Sequence, residues 1–206
     1  MSNSLIHSAI RAADDVDRFN VFDSLRKGTA DLHQLIEARV PVFREGFTLE
    51  DYAHLVEKFF GFWAPVEERL SNLETLRDPD LALESRLKSS LLRDDLLILG
   101  CDPAAVRQCE RLPRLDIFLQ GLGCLYVLEG STLGSQLISR RLKEKLQLGE
   151  RNGASFFNAY GGLTGARWME FKGFVSASVK FEHADTVVAA ARDTFMCFYE
   201  WLGTAS

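Results

Sequence analysis

The chain has 206 residues, 47% of them hydrophobic, and a formal net charge of −5. This composition is typical of a globular protein with one substantial core and excludes a disordered chain. The negative charge argues against nucleic acid as a partner, because phosphate binding needs a basic surface. No stretch reaches the roughly 20 apolar residues of a membrane span, so we expect a soluble, cytoplasmic protein without membrane contact.

Apolar periodicity predicts helices along nearly the whole chain and no strands. The first predicted helix is "DSLRKGTADLHQLIEARV", with Asp23 or Ser24 as its cap and Pro41 at its end. The second opens at a capping-box pair, Thr48 and Asp51. Its apolar face then continues towards a proline in "WAPVEERL", where we expect a bend or a break.

Further helices are predicted over "LALESRLKSSLLRDDLLILG", "DPAAVRQCERL", residues 114–148, "TGARWMEFKGFVSASV" and "ADTVVAAARDTFMCFYEWLG". Gly100 and Gly149 are the expected ends of the first and third of these, and Asp102 is the expected cap of the second. After the helix of residues 114–148, "NGASFFNAYGG" is predicted to be a loop with aromatic anchors. The whole pattern predicts a single all-α domain with short connections.

The long helix contains four glycines within "GLGCLYVLEGSTLGSQ", namely Gly121, Gly123, Gly130 and Gly134. Each interior glycine costs about 1 kcal/mol relative to alanine, so the pattern needs a reason. Tight helix packing is the commoner reason for such spacing. The alternative is that a flat ligand approaches the backbone, because small polar residues surround the second pair of glycines. A kink between Gly130 and Gly134 would expose backbone groups to a small polar ligand or to ordered water.

His33 lies beside the apolar stripe of the first helix, and Glu37 follows one turn later on the same face. A carboxylate in that position can fix the tautomer of a histidine whose other ring nitrogen binds a metal. Arg26 lies two turns before His33, roughly 10 Å along the axis, and can hold an acidic edge of the same ligand. The simpler interpretations are a surface His/Glu pair and a solvated charge. Taken with the glycine helix, these residues predict an apolar slot that fits a planar iron macrocycle.

Two motifs, "LRKGTADLHQLIE" and "LYVLEGSTLGSQLI", resemble the heme oxygenase family, specifically its bacterial, phytochrome-associated branch. The resemblance covers about residues 21 to 202. It implies an all-α helical bundle over residues 21–206, after an N-terminal extension of residues 1–20, with haem between a proximal and a kinked distal helix. It also implies cleavage of haem to biliverdin (the IX-alpha isomer), iron and CO. The reaction would use O2 and electrons from ferredoxin or another reductase, with a bacterial phytochrome as the expected acceptor of biliverdin.

The resemblance also implies site residues, with His33 as the iron ligand and Glu37 as its hydrogen-bond partner. The other positions that it places around the haem are Arg26, Tyr126 and Lys172 at the propionates, Gly130, Gly134, Ser135 and Gln136 on the distal helix, and Phe195 as a wall from the last helix.

One position departs from the animal-type pattern of the family, which has an aspartate where this chain has Ser131. The proton relay would then run through Ser131, backbone carbonyls and water. The missing acid favours an alternative, a haem carrier that does not degrade its ligand. A related helical fold with thiamin-degrading or di-iron chemistry, and a non-catalytic interaction domain, are further alternatives.

Overall fold

The structure, a computed structural model, describes residues 19–204. These residues contain six α-helices and no strand, which confirms the predicted all-α class. The helices are α1 (Val21–Arg39), α2 (Leu49–Ser71), α3 (Ser89–Ile98), α4 (Phe118–Leu146), α5 (Thr164–Ser178) and α6 (Ala184–Leu202). The expected N-terminal extension, residues 1–20, lies outside the described residues apart from Phe19 and Asn20. No helix in residues 19–204 is both long and apolar enough to cross a membrane.

Helix α1 begins earlier than predicted. Its cap is Asn20, whose side chain accepts a hydrogen bond from the backbone N–H of Phe22 at 3.0 Å, so the prediction of Asp23 or Ser24 was wrong. All three residue types cap helices well, and the burial of Val21 and Phe22 favours the earlier start. At the other end, the helix stops at Arg39, two residues before the proline that was expected to end it.

The capping box of α2 is confirmed, since Thr48 and Asp51 exchange hydrogen bonds of 2.9 and 3.1 Å. Pro65 does not break this helix, which continues to Ser71. A proline deprives the carbonyl four residues earlier of its helical partner. That carbonyl belongs to Gly61, and it accepts a hydrogen bond from the N–H of Cys109 at 2.8 Å instead.

Two predicted helices are shorter in the structure. Of "DPAAVRQCERL" only Pro103–Ala105 forms a 3-10 turn, which Asp102 caps as predicted. The residues that follow are not helical, and the N–H of Cys109 bonds to the carbonyl of Gly61. Helix α3 starts at Ser89 instead of residue 81 because Glu67 of α2 provides its cap from outside. The Glu67 carboxylate accepts hydrogen bonds from the N–H groups of Lys88 and Ser89 at 2.7 and 2.8 Å.

Helix α4 is one uninterrupted helix, but its ends differ from the predicted 114–148. Its last turn is closed by Gln147 in a left-handed conformation (φ 57°) instead of by Gly149. Helix α6 packs extensively against both α1 and α4, and α2 packs against α3. An aromatic cluster joins α2, α6 and the loop before α5, with Phe59 stacked on Trp63 and both rings in contact with Phe156 and Phe198. The loop "NGASFFNAYGG" therefore has the predicted aromatic anchors.

The first two glycines of α4 serve helix packing. A Cβ atom at Gly123 would overlap the carbonyl oxygen of Val187 and lie 2.7 Å from the Cβ of Ala190, both on α6. A Cβ atom at Gly121 would lie 2.7 Å from a methyl group of Leu76. Tight packing, the commoner interpretation of such glycines, is therefore correct for this pair.

We expect Gly123→Ala to lower the free energy of unfolding by about 2 kcal/mol, because the added methyl group forces α4 and α6 apart. Chemical denaturation followed by circular dichroism measures the change. A variant as stable as the parent protein would show that the two helices are not held at this distance.

Candidate functional site

The second pair of glycines in α4 does not serve helix packing. A Cβ atom at Gly134 would meet nothing within 4 Å, and one at Gly130 would meet only the edge of Trp168 at 3.9 Å. The absence of side chains here leaves the backbone of α4 open to an approaching group instead of to a neighbouring helix. Helix packing therefore does not explain this pair, and the flat-ligand interpretation stays a prediction.

The open face is apolar beyond the glycines. Leu133 and Leu137 lie one turn apart on α4 and are 45% and 58% exposed. Exposed leucines in a row with open glycines are typical of a surface that takes an apolar ligand. Gln136 is also exposed on this part of the helix.

The hydroxyl groups around the glycines bond to their own helix. Ser131 Oγ donates to the carbonyl of Leu128 at 2.7 Å, and Ser135 Oγ donates to the carbonyl of Ser131 at 2.9 Å. Thr132 does the same with Glu129 at 2.6 Å. Such bonds tend to bend helices, and the kink between the two open glycines stays a prediction.

His33 and Glu37 form the predicted pair on α1. Nδ1 of His33 lies 3.5 Å from Oε1 of Glu37, and the histidine side chain is 57% exposed. Among residues 19–204 no group bonds to Nε2, so the second ring nitrogen points away from the carboxylate and remains available. The imidazole packs edge-on against the buried ring of Phe195 in α6, with ring centres 6.0 Å apart. The structure therefore brings together three residues that the sequence placed at one site.

The three predicted propionate residues gather near the start of α1, around Phe22. The Phe22 ring lies 6.1 Å from the ring of Tyr126 and 5.1 Å from Nζ of Lys172. Burial raises the pKa of Tyr126, and a hydrogen bond with Thr29 and the positive charge of Arg26 oppose that rise. Arg26 itself is 73% exposed and is paired at 3.3 Å with Asp23. Two cations and a phenol at one end of the apolar face suit an anionic edge of a ligand.

Helix α6 connects the two halves of the candidate site. It packs against α1, which carries His33, and against α4, which carries the open glycines. The two faces are therefore held on one common support. The described part of the chain contains no group of three or more His, Cys, Asp or Glu side chains that could hold a metal ion. The carboxylate cluster of a di-iron protein is thus not found in residues 19–204.

One important cluster was missed by the sequence analysis. The buried carboxylate of Glu129 accepts hydrogen bonds from Arg86 at 2.6 Å, from Lys88 at 2.5 Å and from the hydroxyl of Tyr160 at 2.8 Å. Burial lowers the pKa of Lys88, and the charge of Glu129 opposes that change. A signal existed, because Glu129 interrupts the apolar run "GCLYVLEG". Its partners come from two distant segments, however, and periodicity does not connect them.

The family model of heme oxygenase matches residues 20–204, nine-tenths of the chain. The chain therefore belongs to the heme oxygenase family, enzymes that bind haem and degrade it with O2 and reducing electrons. The fold is similar to that of heme oxygenase from Neisseria meningitidis, solved with NO and CO bound. That likeness has a TM-score of 0.73 at 21% identity and covers 91% of this chain and 94% of the other. Heme oxygenase from Leptospira interrogans gives a TM-score of 0.71 at 16% identity, over 89% and 98% of the two chains. A search of curated proteins gives no match.

The open glycines lead to a test that separates stability from binding. We expect Gly134→Ala to leave the free energy of unfolding unchanged or to raise it by up to about 1 kcal/mol, since alanine favours helix and nothing obstructs its methyl group. The same methyl group should weaken haem binding, because it stands on the face that the ligand approaches. Denaturation and haem titration by absorption measure the two effects.

Gly173→Ala is the matched control for this variant. Gly173 also lies inside a helix, α5, and a Cβ atom there would meet nothing within 4 Å. It should show the same change in stability without a change in haem affinity. Unchanged haem affinity in Gly134→Ala would contradict the assignment of this face to the ligand.

Proposed function

We propose that this heme oxygenase cleaves haem to biliverdin, iron and CO in a slot between α1 and α4, within a catalytic domain of residues 21–206. The open backbone at Gly130 and Gly134 is the observation that carries the proposal. The available Nε2 of His33 supports it from the other side. Bound haem would supply the iron centre at which O2 is activated.

His33 is the proposed iron ligand, and its neighbours explain how it would be held. Glu37 lies beside Nδ1, so the carboxylate favours the tautomer that carries a proton there and leaves Nε2 unprotonated. Phe195 packs against the ring and limits its rotation. A neutral imidazole gives the iron less electron push than a thiolate would, which suits oxidation of the macrocycle itself.

The distal side would be formed by Gly130, Ser131 and Gly134. Without side chains at the two glycines, the helix backbone can approach the ring closely and leave room for little besides a small gas molecule and water. The hydroxyl of Ser131 donates its hydrogen bond to the carbonyl of Leu128. Its oxygen therefore has free lone pairs that can accept a hydrogen bond from water. In this arrangement Ser131 orients a water molecule, which delivers the proton, and the hydroxyl does not act as the acid.

Arg26, Tyr126 and Lys172 would set the rotation of the ring by binding its propionates, and this rotation decides which bridge carbon faces the distal helix. We propose the IX-alpha isomer as the product. Ferredoxin or another reductase is the proposed electron donor, and a bacterial phytochrome is the proposed acceptor of biliverdin. These proposals follow the resemblance of "LYVLEGSTLGSQLI" to the phytochrome-associated branch.

His33→Ala should weaken haem binding by at least about tenfold, the scale on which even outer partners of a metal ligand act. It should also abolish the histidine-ligated absorption spectrum and the formation of biliverdin with a reductant in air. Added imidazole should partly restore the spectrum. Absorption spectroscopy before and after the reductant is added measures all three effects.

His54→Ala is the matched control, because His54 is another exposed histidine paired with a glutamate on its own helix, at 3.0 Å from Glu57. It should bind and degrade haem as the parent does. If His33→Ala also did so, the ligand assignment would be wrong. A parent protein that keeps a stable complex with haem, with no biliverdin formed, would instead support the carrier alternative.

Arg26→Ala should lower the share of the IX-alpha isomer, because the ring loses one of the contacts that fix its rotation. The loss in haem affinity should stay within about fivefold, since exposed ion pairs contribute up to about 1 kcal/mol. Chromatography of the products measures the isomers. Lys27→Ala, which removes the neighbouring exposed cation, is the control, and equal isomer ratios in both variants would refute this role of Arg26.

A further inference from the structure

The stretch of α4 that carries the open glycines has few hydrophobic anchors, the partly buried Ile138 being the apolar residue that packs against the core there. Between Leu128 and Leu142 no apolar side chain of the helix is fully buried, and the buried positions are Glu129, Thr132 and Ser135. The two hydroxyls bond to α4 itself. We call residues 129–139 the distal span. Polar contacts with the rest of the molecule therefore add to the packing of Ile138 in holding it in position.

Two such contacts attach the two ends of the distal span. At the first end, Glu129 accepts a hydrogen bond from the hydroxyl of Tyr160 at 2.8 Å, in addition to its two cations. At the second end, Ser139 Oγ donates to Oδ1 of Asn158 at 2.7 Å. The two attachment points are ten positions apart, about 15 Å along the helix, and both open glycines lie between them.

Both partners belong to one short segment, residues 154–160, which we call the strap. The strap is itself firmly anchored. The buried carboxylate of Asp95 in α3 accepts hydrogen bonds from the N–H groups of Ser155 and Phe156 at 2.8 and 2.9 Å. Asn158 also donates to the carbonyl of Ala154 at 2.7 Å, and the buried ring of Phe157 contacts that of Phe59 at 5.6 Å.

We propose that the strap is a positioning element for haem. Asn158 and Tyr160 would fix the height of the distal span and so set how closely Gly130 and Gly134 approach the bound ring. This inference rests on the proposed function, which places haem against those glycines. Both residues act through α4 and not by touching the ligand, so they are positioning residues.

The test is the double variant Tyr160→Phe/Ser139→Ala, which removes one hydrogen bond at each end and keeps the ion pairs of Glu129. In the haem-free protein, amide hydrogens of residues 130–138 should exchange faster with deuterium. In the loaded protein, the haem dissociation constant should rise by about fivefold to tenfold, the scale of the net contribution of a single hydrogen bond. The stretching band of CO bound to reduced haem should shift or broaden, because the distal backbone is no longer held at one height.

Thr48→Ala is the control. It removes the cap of α2 and so lowers the melting temperature, and the hydrogen bonds of the Thr48 N–H and side chain are made with Asp51 of the same helix. It should leave the exchange of residues 130–138, the haem affinity and the CO band unchanged. A double variant that behaves like Thr48→Ala in all three measurements would overturn the proposal. If the parent protein took up no haem through His33, the proposed function would fail, and hydrogen exchange in the haem-free protein would still decide the role of the strap.

Discussion

The carboxylate of Glu129 is the point on which the arrangement of the chain depends. It is buried together with Arg86 and Lys88, whose side chains are 1% and 2% exposed. A buried charge that loses its partner costs several kcal/mol, so each member of such a group requires the others in place. Because the cations come from the segment before α3 and the carboxylate from α4, the contact fixes two distant parts of the chain against each other.

The same cluster explains why the chain between α2 and α3 is irregular. Arg86 donates to the carbonyl of Leu81 at 2.8 Å, and Lys88 donates to that of Arg86 at 2.6 Å. These bonds hold the backbone in a tight turn in which Ala82 adopts a left-handed conformation (φ 49°). Within this turn only Leu83–Arg86 forms a short 3-10 helix, and α3 starts at Ser89, where Glu67 caps it from α2. The buried charges and the external cap together explain why the predicted α-helix does not begin at residue 81.

Much of the fold follows from apolar periodicity, because the six helices bury one face each and their stripes are visible in the sequence. The predicted pair of His33 and Glu37 follows from the geometry of a helix turn in the same way. The errors have another origin. The helix predicted over residues 102–112 is lost because Cys109 bonds to Gly61, and that carbonyl is free only because Pro65 follows it by four residues. Such hydrogen bonds join positions far apart in the chain, and no local sequence pattern predicts them.

The four glycines of α4 show how far a single residue type can be interpreted from sequence. All four have the same cost to the helix, but Gly121 and Gly123 meet neighbouring side chains and backbone, whereas Gly134 meets nothing. Spacing alone cannot separate the two cases, because the difference lies in what other helices place opposite each residue. The structure separates them, because it shows which glycines face a neighbouring group and which do not.

The open face of α4 has a further energetic consequence. Leu133 and Leu137 remain exposed to water in the chain alone, so covering them with a flat apolar ligand contributes binding free energy that their own fold does not use. More apolar side chains on the inner face of this part of α4 would stabilise it by packing. Packing is not directional, however, so it would not by itself fix the distance between α4 and its neighbours. The polar contacts at Glu129 and Ser139 do fix that distance, because a hydrogen bond specifies both a length and a direction. The small number of hydrophobic anchors in the distal span is therefore compatible with a fixed position of its backbone, because groups of defined geometry hold its two ends.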